Sequence, residues 1–189
     1  MNRKVMCEIR WHGRAGQGII TVSRLLAYAG LLEKKHIQSF PEFGPERIGA
    51  PMTGFTRISD TPIEVHSRIY DPNVVVVLDS TLLKIVKVTD GLKKDGSLLI
   101  NSSKSSKEVK QELGLSNANC YTVDATKISL DIFGSGKAFN TAMLGALIKT
   151  VPAVSMESLT KAMKERFSAE LIDKNLNVMK RGMTEVRAN

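Results

Sequence analysis

Val74-Val75-Val76-Val77-Leu78 decides the fold. The run is apolar at every position, so both faces of the strand must be covered, which is how a central strand sits in a helix-flanked parallel sheet. Asp71-Pro72-Asn73 before it and Asp79-Ser80 after it supply the turn chemistry that bounds it. Upstream, an extended stretch over 5–11, a helical pattern over 17–30 and a second extended stretch over 36–40 read as one βαβ unit. Two short extended runs follow, 53–59 and 63–68, separated by Asp60-Thr61-Pro62 as in a hairpin or a bent edge. Downstream come a helical segment, a strand over 97–100, the capping box Ser105-Ser106-Lys107-Glu108 opening a helix to Leu113, and a strand over 121–123. The last third is helical: 125–133, 141–150 behind Asn140, 156–167 behind Ser155, and 171–185. The expectation is an α/β fold: one domain over 1–189, with a doubly wound, mostly parallel sheet and helices on both faces. A short antiparallel or edge pair near 53–68 and extra C-terminal helices complete it.

Composition narrows the function classes. The net charge of +8 attracts polyanions of any kind, but aromatics are 5% and the lysines are interleaved with acids, so no stacking platform with a basic stripe is present and nucleic-acid binding is not expected. No apolar run is long enough for a signal peptide core or a bilayer span, so the chain reads as cytoplasmic with no membrane association. Cys7 and Cys120 are the only cysteines and neither lies in a C-x-x-C, which leaves too few ligands for an iron–sulfur cluster or a structural zinc ion; two reduced, buried cysteines are expected. His12, His36 and His66 lack metal-ligand spacing, and no Ser–His–Asp or paired-carboxylate arrangement stands out. No metal site and no catalytic residue is assigned.

Two segments can carry binding. In the first strand-to-helix turn, His12, Gly13, Arg14, Ala15, Gly16, Gln17 and Gly18 let the backbone approach a ligand while the next helix points amides at an anion. The same glycines equally serve tight strand-to-helix packing. Their spacing is G-x-x-G-x-G rather than the dinucleotide G-x-G-x-x-G, and the second strand, read as ending at Phe40-Pro41, brings no acid for a ribose hydroxyl. The second segment is irregular and long: Phe40, Pro41, Glu42, Phe43, Gly44, Pro45, Glu46, Arg47, Ile48, Gly49, Ala50 and Pro51. Such loops dock subunits or touch ligands, or else simply wrap a surface. Asp79-Ser80, Asn101-Ser102-Ser103 and Asp124 end other strands at the same edge and suit helix capping. Gly134-Ser135-Gly136-Lys137-Ala138 is P-loop-like only on the surface: Asp131 replaces the first glycine and Ala138 cannot hold magnesium, so it is not read as an ATP site.

Taken together, WHGRAGQG at 11–18, QSFPEFGPERIGAP at 38–51, DPNVVVVLDSTLL at 71–83, VDAT at 123–126 and NTAMLGAL at 140–147 resemble the γ subunit of pyruvate:ferredoxin oxidoreductase, of the 2-oxoacid:acceptor oxidoreductase family. The likeness spans most of the chain and leans toward pyruvate or branched-chain 2-oxoacid (2-oxoisovalerate) enzymes. It implies a CoA-dependent oxidative decarboxylation to acyl-CoA and CO2 with electrons to ferredoxin or flavodoxin. It also implies α, β and δ-type partner subunits that hold thiamine diphosphate, Mg2+ and iron–sulfur clusters, and a γ chain that binds no cofactor and helps handle coenzyme A. On that basis His12, Gly13, Arg14, Gly16, Gln17 and Gly18 are candidate contacts to the phosphates of coenzyme A. Phe40, Pro41, Glu42, Gly44, Glu46, Arg47, Gly49, Ala50 and Pro51 are candidate interface or active-site-edge residues. The sequence departs from the family pattern at Ala15, where glycine is frequent, and at Ile48, where Arg or Thr is frequent. The competing readings are a free-standing nucleotide-binding oxidoreductase, which the missing ribose acid disfavours, and a scaffold that kept the fold alone.

Overall fold

The computed structural model describes residues 6–42 and 49–188. Seven strands form one sheet: β1 (Met6–Arg14), β2 (His36–Glu42), β3 (Pro51–Ser59), β4 (Val74–Val77), β5 (Ser97–Asn101), β6 (Asn119–Val123) and β7 (Arg187–Ala188), in the order β2-β3-β1-β4-β5-β6-β7. β1, β4, β5 and β6 are parallel neighbours; β3 runs antiparallel between β1 and β2, and β7 antiparallel beside β6. Five of these seven strands therefore share one direction, and the expected α/β class with a mostly parallel sheet stands. The helices are α1 (Ile19–Leu32), α2 (Ser106–Glu112), α3 (Ala125–Phe133), α4 (Phe139–Thr150), α5 (Met156–Arg166) and α6 (Ala169–Glu185).

The two faces of the sheet are covered unequally, because alternate residues of each strand face opposite ways. Ile9, Trp11, Val74, Val76, Leu99 and Val123 face a large core filled by α1, α3, α4, α5 and α6. Val75, Val77, Leu98, Ile100 and Cys120 face a smaller one closed by Leu82, Val88 and α2's Val109. Val74 through Val77 are all buried, as a doubly covered strand requires. Cys7 lies against the first core and Cys120 in the second, so the sheet stands between the two sulfurs.

Three local expectations are corrected. The 63–68 run forms no strand; it is mostly exposed, and its carbonyls satisfy a buried arginine instead. Arg57, 1% exposed, donates to Glu8 Oε1 at 3.0 Å, to Gln38 Oε1 at 3.0 Å, to the carbonyl of Ser67 at 2.9 Å and to that of Arg68 at 3.3 Å. A buried guanidinium must fill its donors, and that demand outweighs hairpin pairing. The antiparallel partner of β3 is β2, so β1, α1 and β2 form a split βαβ unit with β3 inserted. The helical segment expected after β4 is a 3-10 turn, Ser80–Lys84. Asn140 does not cap α4, whose N-cap position is Ala138; its side chain takes the amide of Thr141 and reaches the carbonyl of Gly18 instead.

Candidate functional site

β1 runs on to Arg14, so His12, Gly13 and Arg14 are strand residues and the turn proper is 15–18. Gly16 and Gly18 take φ of +92° and +80°, the left-handed region that side chains resist. At Gly18 a Cβ would also collide with Nδ2 of Asn140, so glycine is demanded both by conformation and by the close approach of α4. Gly18 is the N-cap of α1 and contributes no side-chain bond, which leaves first-turn amides of a 14-residue helix without a side-chain acceptor.

Arg14 does not reach outward. Its Nε donates to Asp79 Oδ2 at 3.0 Å, Nη1 to the carbonyl of Gly49 at 3.0 Å and Nη2 to Thr81 Oγ1 at 2.9 Å. Gln17 closes the ring, accepting from the Arg14 amide at 2.7 Å and donating to Asp79 Oδ2 at 2.9 Å. Ala15 N–H donates to the carbonyl of Ala50 at 2.9 Å, and Gly49 N–H to that of Ala15 at 3.3 Å. The turn and the 49–51 stretch entering β3 are thus joined. Burial raises the Asp79 carboxyl, but hydrogen bonds from Thr81, Gln17 and Arg14 outweigh it and hold it below its usual range.

His12 lies on the opposite side of β1 from Trp11, 6% exposed, with Nε2 accepting from Arg10 Nε at 3.1 Å. Burial, then the neighbouring Arg10 charge, lower its pKa to about 4, so it is neutral at pH 7. Of the second segment, Phe40, Pro41 and Glu42 belong to β2, and Phe40 packs on Phe55 with ring centroids 5.3 Å apart. β2 extends to Glu42, so an acid does end the second strand; it pairs with Arg68 at 2.9 Å, and β3 separates it from β1 and the glycine turn. Gly49, Ala50 and Pro51 meet the turn, while Gly44, Glu46 and Arg47 lie outside the described residues.

Beside the ring opens a cleft of about 720 Å³, walled by 16–18, by the 133–141 segment, by the end of α5 and by the start of α6. Lys137 and Arg166 line it and no Asp or Glu does. Phe139, Phe167 and Leu171 give it an apolar wall; Asn140, Thr141 and Asn175 give it amide and hydroxyl groups. The N-termini of α1 and α4 both point here, and neither has a side-chain cap. A second crevice of about 540 Å³ follows the carboxyl ends of β4, β5 and β6, with Gln17, Gly136 and Phe139 shared between the two. There the capping expectation holds for Asp79, which accepts from Thr81 N–H, and for Asp124, which accepts from Lys127 N–H, each at 3.0 Å. Asn101 instead ties the Leu78 carbonyl to Thr126. The sequence reading met Lys137 only within a rejected ATP motif and missed Arg166, which carries no local signal. Among the described residues no cluster of three or more His, Cys, Asp or Glu is arranged to hold a metal ion, and no helix is long and apolar enough to cross a membrane.

The molecule is thus an α/β domain with a mostly parallel sheet, its strand switch point filled by its own side chains beside a cleft lined by two cations. Residues 8–185 match the family described as pyruvate ferredoxin/flavodoxin oxidoreductase, and the chain belongs to that family. It is 49% identical over 170 residues to the pyruvate/ketoisovalerate oxidoreductases common subunit gamma of Thermococcus litoralis, covering 90% of this chain and 91% of that one. The crystal structure of pyruvate oxidoreductase subunit PORC from Thermotoga maritima superposes with a TM-score of 0.88 at 41% identity, covering 99% of each chain. A 2-oxoglutarate:ferredoxin oxidoreductase from Magnetococcus marinus, solved with 2-oxoglutarate, coenzyme A and succinyl-CoA bound, shares the fold at a TM-score of 0.78 and 19% identity, over 96% of this chain and 31% of that one. The chain is a γ-type subunit of a 2-oxoacid:ferredoxin oxidoreductase, as its sequence motifs imply.

Proposed function

We propose that this chain acts as one domain in a cytoplasmic complex that oxidises pyruvate, or a branched-chain 2-oxoacid, to acyl-CoA and CO2, and that its own task is to receive the phosphate-bearing end of coenzyme A. α, β and δ-type subunits hold thiamine diphosphate, Mg2+ and the iron–sulfur clusters and pass electrons to ferredoxin or flavodoxin. The observation that carries the reading is the cleft lining: two cations, two uncapped helix N-termini and no carboxylate, beside an apolar wall able to take an adenine ring. Gly16, Gln17 and Gly18 present the backbone. Lys137 and Arg166 supply the charge, and His12, Gly13 and Arg14 support the turn from behind. Gly49, Ala50 and Pro51, joined to the turn, are assigned to the edge that meets the partner subunits.

The name of the Thermococcus litoralis relative, a subunit common to pyruvate and ketoisovalerate enzymes, supports both substrates rather than one. Replacing Lys137→Glu and Arg166→Glu in the assembled enzyme is expected to raise the coenzyme A KM at least about tenfold, with kcat for dye reduction within about twofold, because removing a charged contact to a ligand removes binding energy of that order. An unchanged KM in both variants contradicts the cleft assignment.

A further inference from the structure

Asp79 closes the point of the sheet where strand connections diverge, between the carboxyl ends of β1 and β4, and where open α/β sheets ordinarily leave a ligand crevice. Both of its oxygens are filled: Oδ2 by Arg14 Nε and Gln17 Nε2 at 3.0 and 2.9 Å, Oδ1 by the amide and hydroxyl of Thr81 at 3.0 and 2.6 Å. Thr81 Oγ1 also accepts from Arg14, so Asp79, Arg14, Thr81 and Gln17 form a closed polar ring. The side chains of Arg14 and Asp79 are only 28% and 16% exposed. Two paths lead out of the ring. One runs through Gln17 into the cleft wall, and the other through Arg14 Nη1 to the carbonyl of Gly49, at the start of the stretch that enters β3.

We infer that Asp79 is a positioning residue for the ligand cleft: by fixing Arg14 and Gln17 together, its carboxylate holds the 16–18 backbone and the 49–51 stretch in one arrangement. The inference rests on the coenzyme A reading above. Arg14 is accordingly a strut, and its guanidinium is occupied before any ligand arrives. A carboxylate is required because the four donors facing it include a cation, and an amide in its place would aim an N–H at one of them.

The test is steady-state kinetics of the assembled oxidoreductase carrying Asp79→Asn, Arg14→Gln and both together. Each single change is expected to raise the coenzyme A KM about five- to twenty-fold, the range for losing a charge-assisted hydrogen bond, with kcat nearly constant. The double variant should be no worse than the worse single one, since both break the same ring. An unchanged KM in Asp79→Asn, or effects that multiply in the double variant, overturns the inference. If Asp79→Asn does not assemble, Thr81→Val and Arg14→Lys decide the matter. Thr81→Val removes one hydroxyl of the ring, and Arg14→Lys keeps the charge but cannot reach Asp79 and Gly49 at once. A KM raised in both supports the inference, and a KM unchanged in both overturns it. A KM that rises for Lys137→Glu or Arg166→Glu but not for Asp79→Asn refutes the positioning role alone, whereas no response to either Lys137→Glu or Arg166→Glu refutes the cleft itself.

Discussion

Arg10 and His12 carry the main polar load on the second face of β1. The Arg10 guanidinium donates to the carbonyls of Tyr70 at 3.2 Å and Val88 at 3.0 Å, and to that of Asp90, while its Nε meets the unprotonated Nε2 of His12. A proton on that nitrogen would oppose the guanidinium, so the fold favours neutral imidazole. The sign follows: with a folded pKa of about 4 against 6.5, stability from this residue is complete above pH 6.5 and is lost as pH falls toward 4. Comparing urea midpoints at pH 7 and 4.5, wild type is expected to lose about 2 kcal/mol more than His12→Gln, whose side-chain oxygen can still accept from Arg10. Equal losses in the two proteins contradict the buried-imidazole account. At this scale the sequence was informative about which residues gather and misleading about which way they point. His12 and Arg14 sit in the motif as read, yet one faces the second core and the other an internal acid. The pleat of a strand three residues longer than expected decides both.

The central element of the large core is α4, where every residue from Asn140 to Ile148 is buried, as befits a helix with no solvent face. It crosses α6 backbone to backbone: a Cβ on Gly145 would strike the carbonyl of Met179, and one on Gly182 the carbonyl of Ala142. Gly145→Ala gains helix propensity, about 1 kcal/mol, but overpacking a crossing whose near atoms are backbone costs about 1–3 kcal/mol and forces the helices to shift. We expect a lower melting temperature, by about 2–4 °C for each net kcal/mol lost; a rise, as at an open helical site, contradicts the crossing. The elements themselves were legible where periodicity was strong. Val74 to Val77, the capping box at Ser105 and Glu108, and the Asp124 and Ser155 caps form as read, the strand stopping one residue short of Leu78. Strand pairing was not legible. Nothing local in 53–59 says that it inserts beside β1, and the pull of Arg57 on the carbonyls of Val65, Ser67 and Arg68 leaves no periodic signal in the sequence.

For the whole molecule, the use proposed for the +8 charge rests on the pair Lys137 and Arg166, facing a cleft whose lining holds no Asp or Glu. That cleft joins segments more than a hundred residues apart in the chain, which is why spacing rules could propose the glycine turn but not its cationic partners. Membership of the family was legible because ordered motifs spread along most of the chain, whereas the cleft depends on how α1, α4, α5 and α6 meet. The central claim is that this γ-type chain works within a larger 2-oxoacid oxidoreductase. The most direct measurement is anaerobic affinity purification of the chain from its native cell, identifying the co-purifying polypeptides and assaying dye reduction with pyruvate and 2-oxoisovalerate plus coenzyme A. The account predicts a brown multi-subunit complex whose reduction of dye depends on coenzyme A and a 2-oxoacid. A colourless, solitary and inactive chain would contradict it.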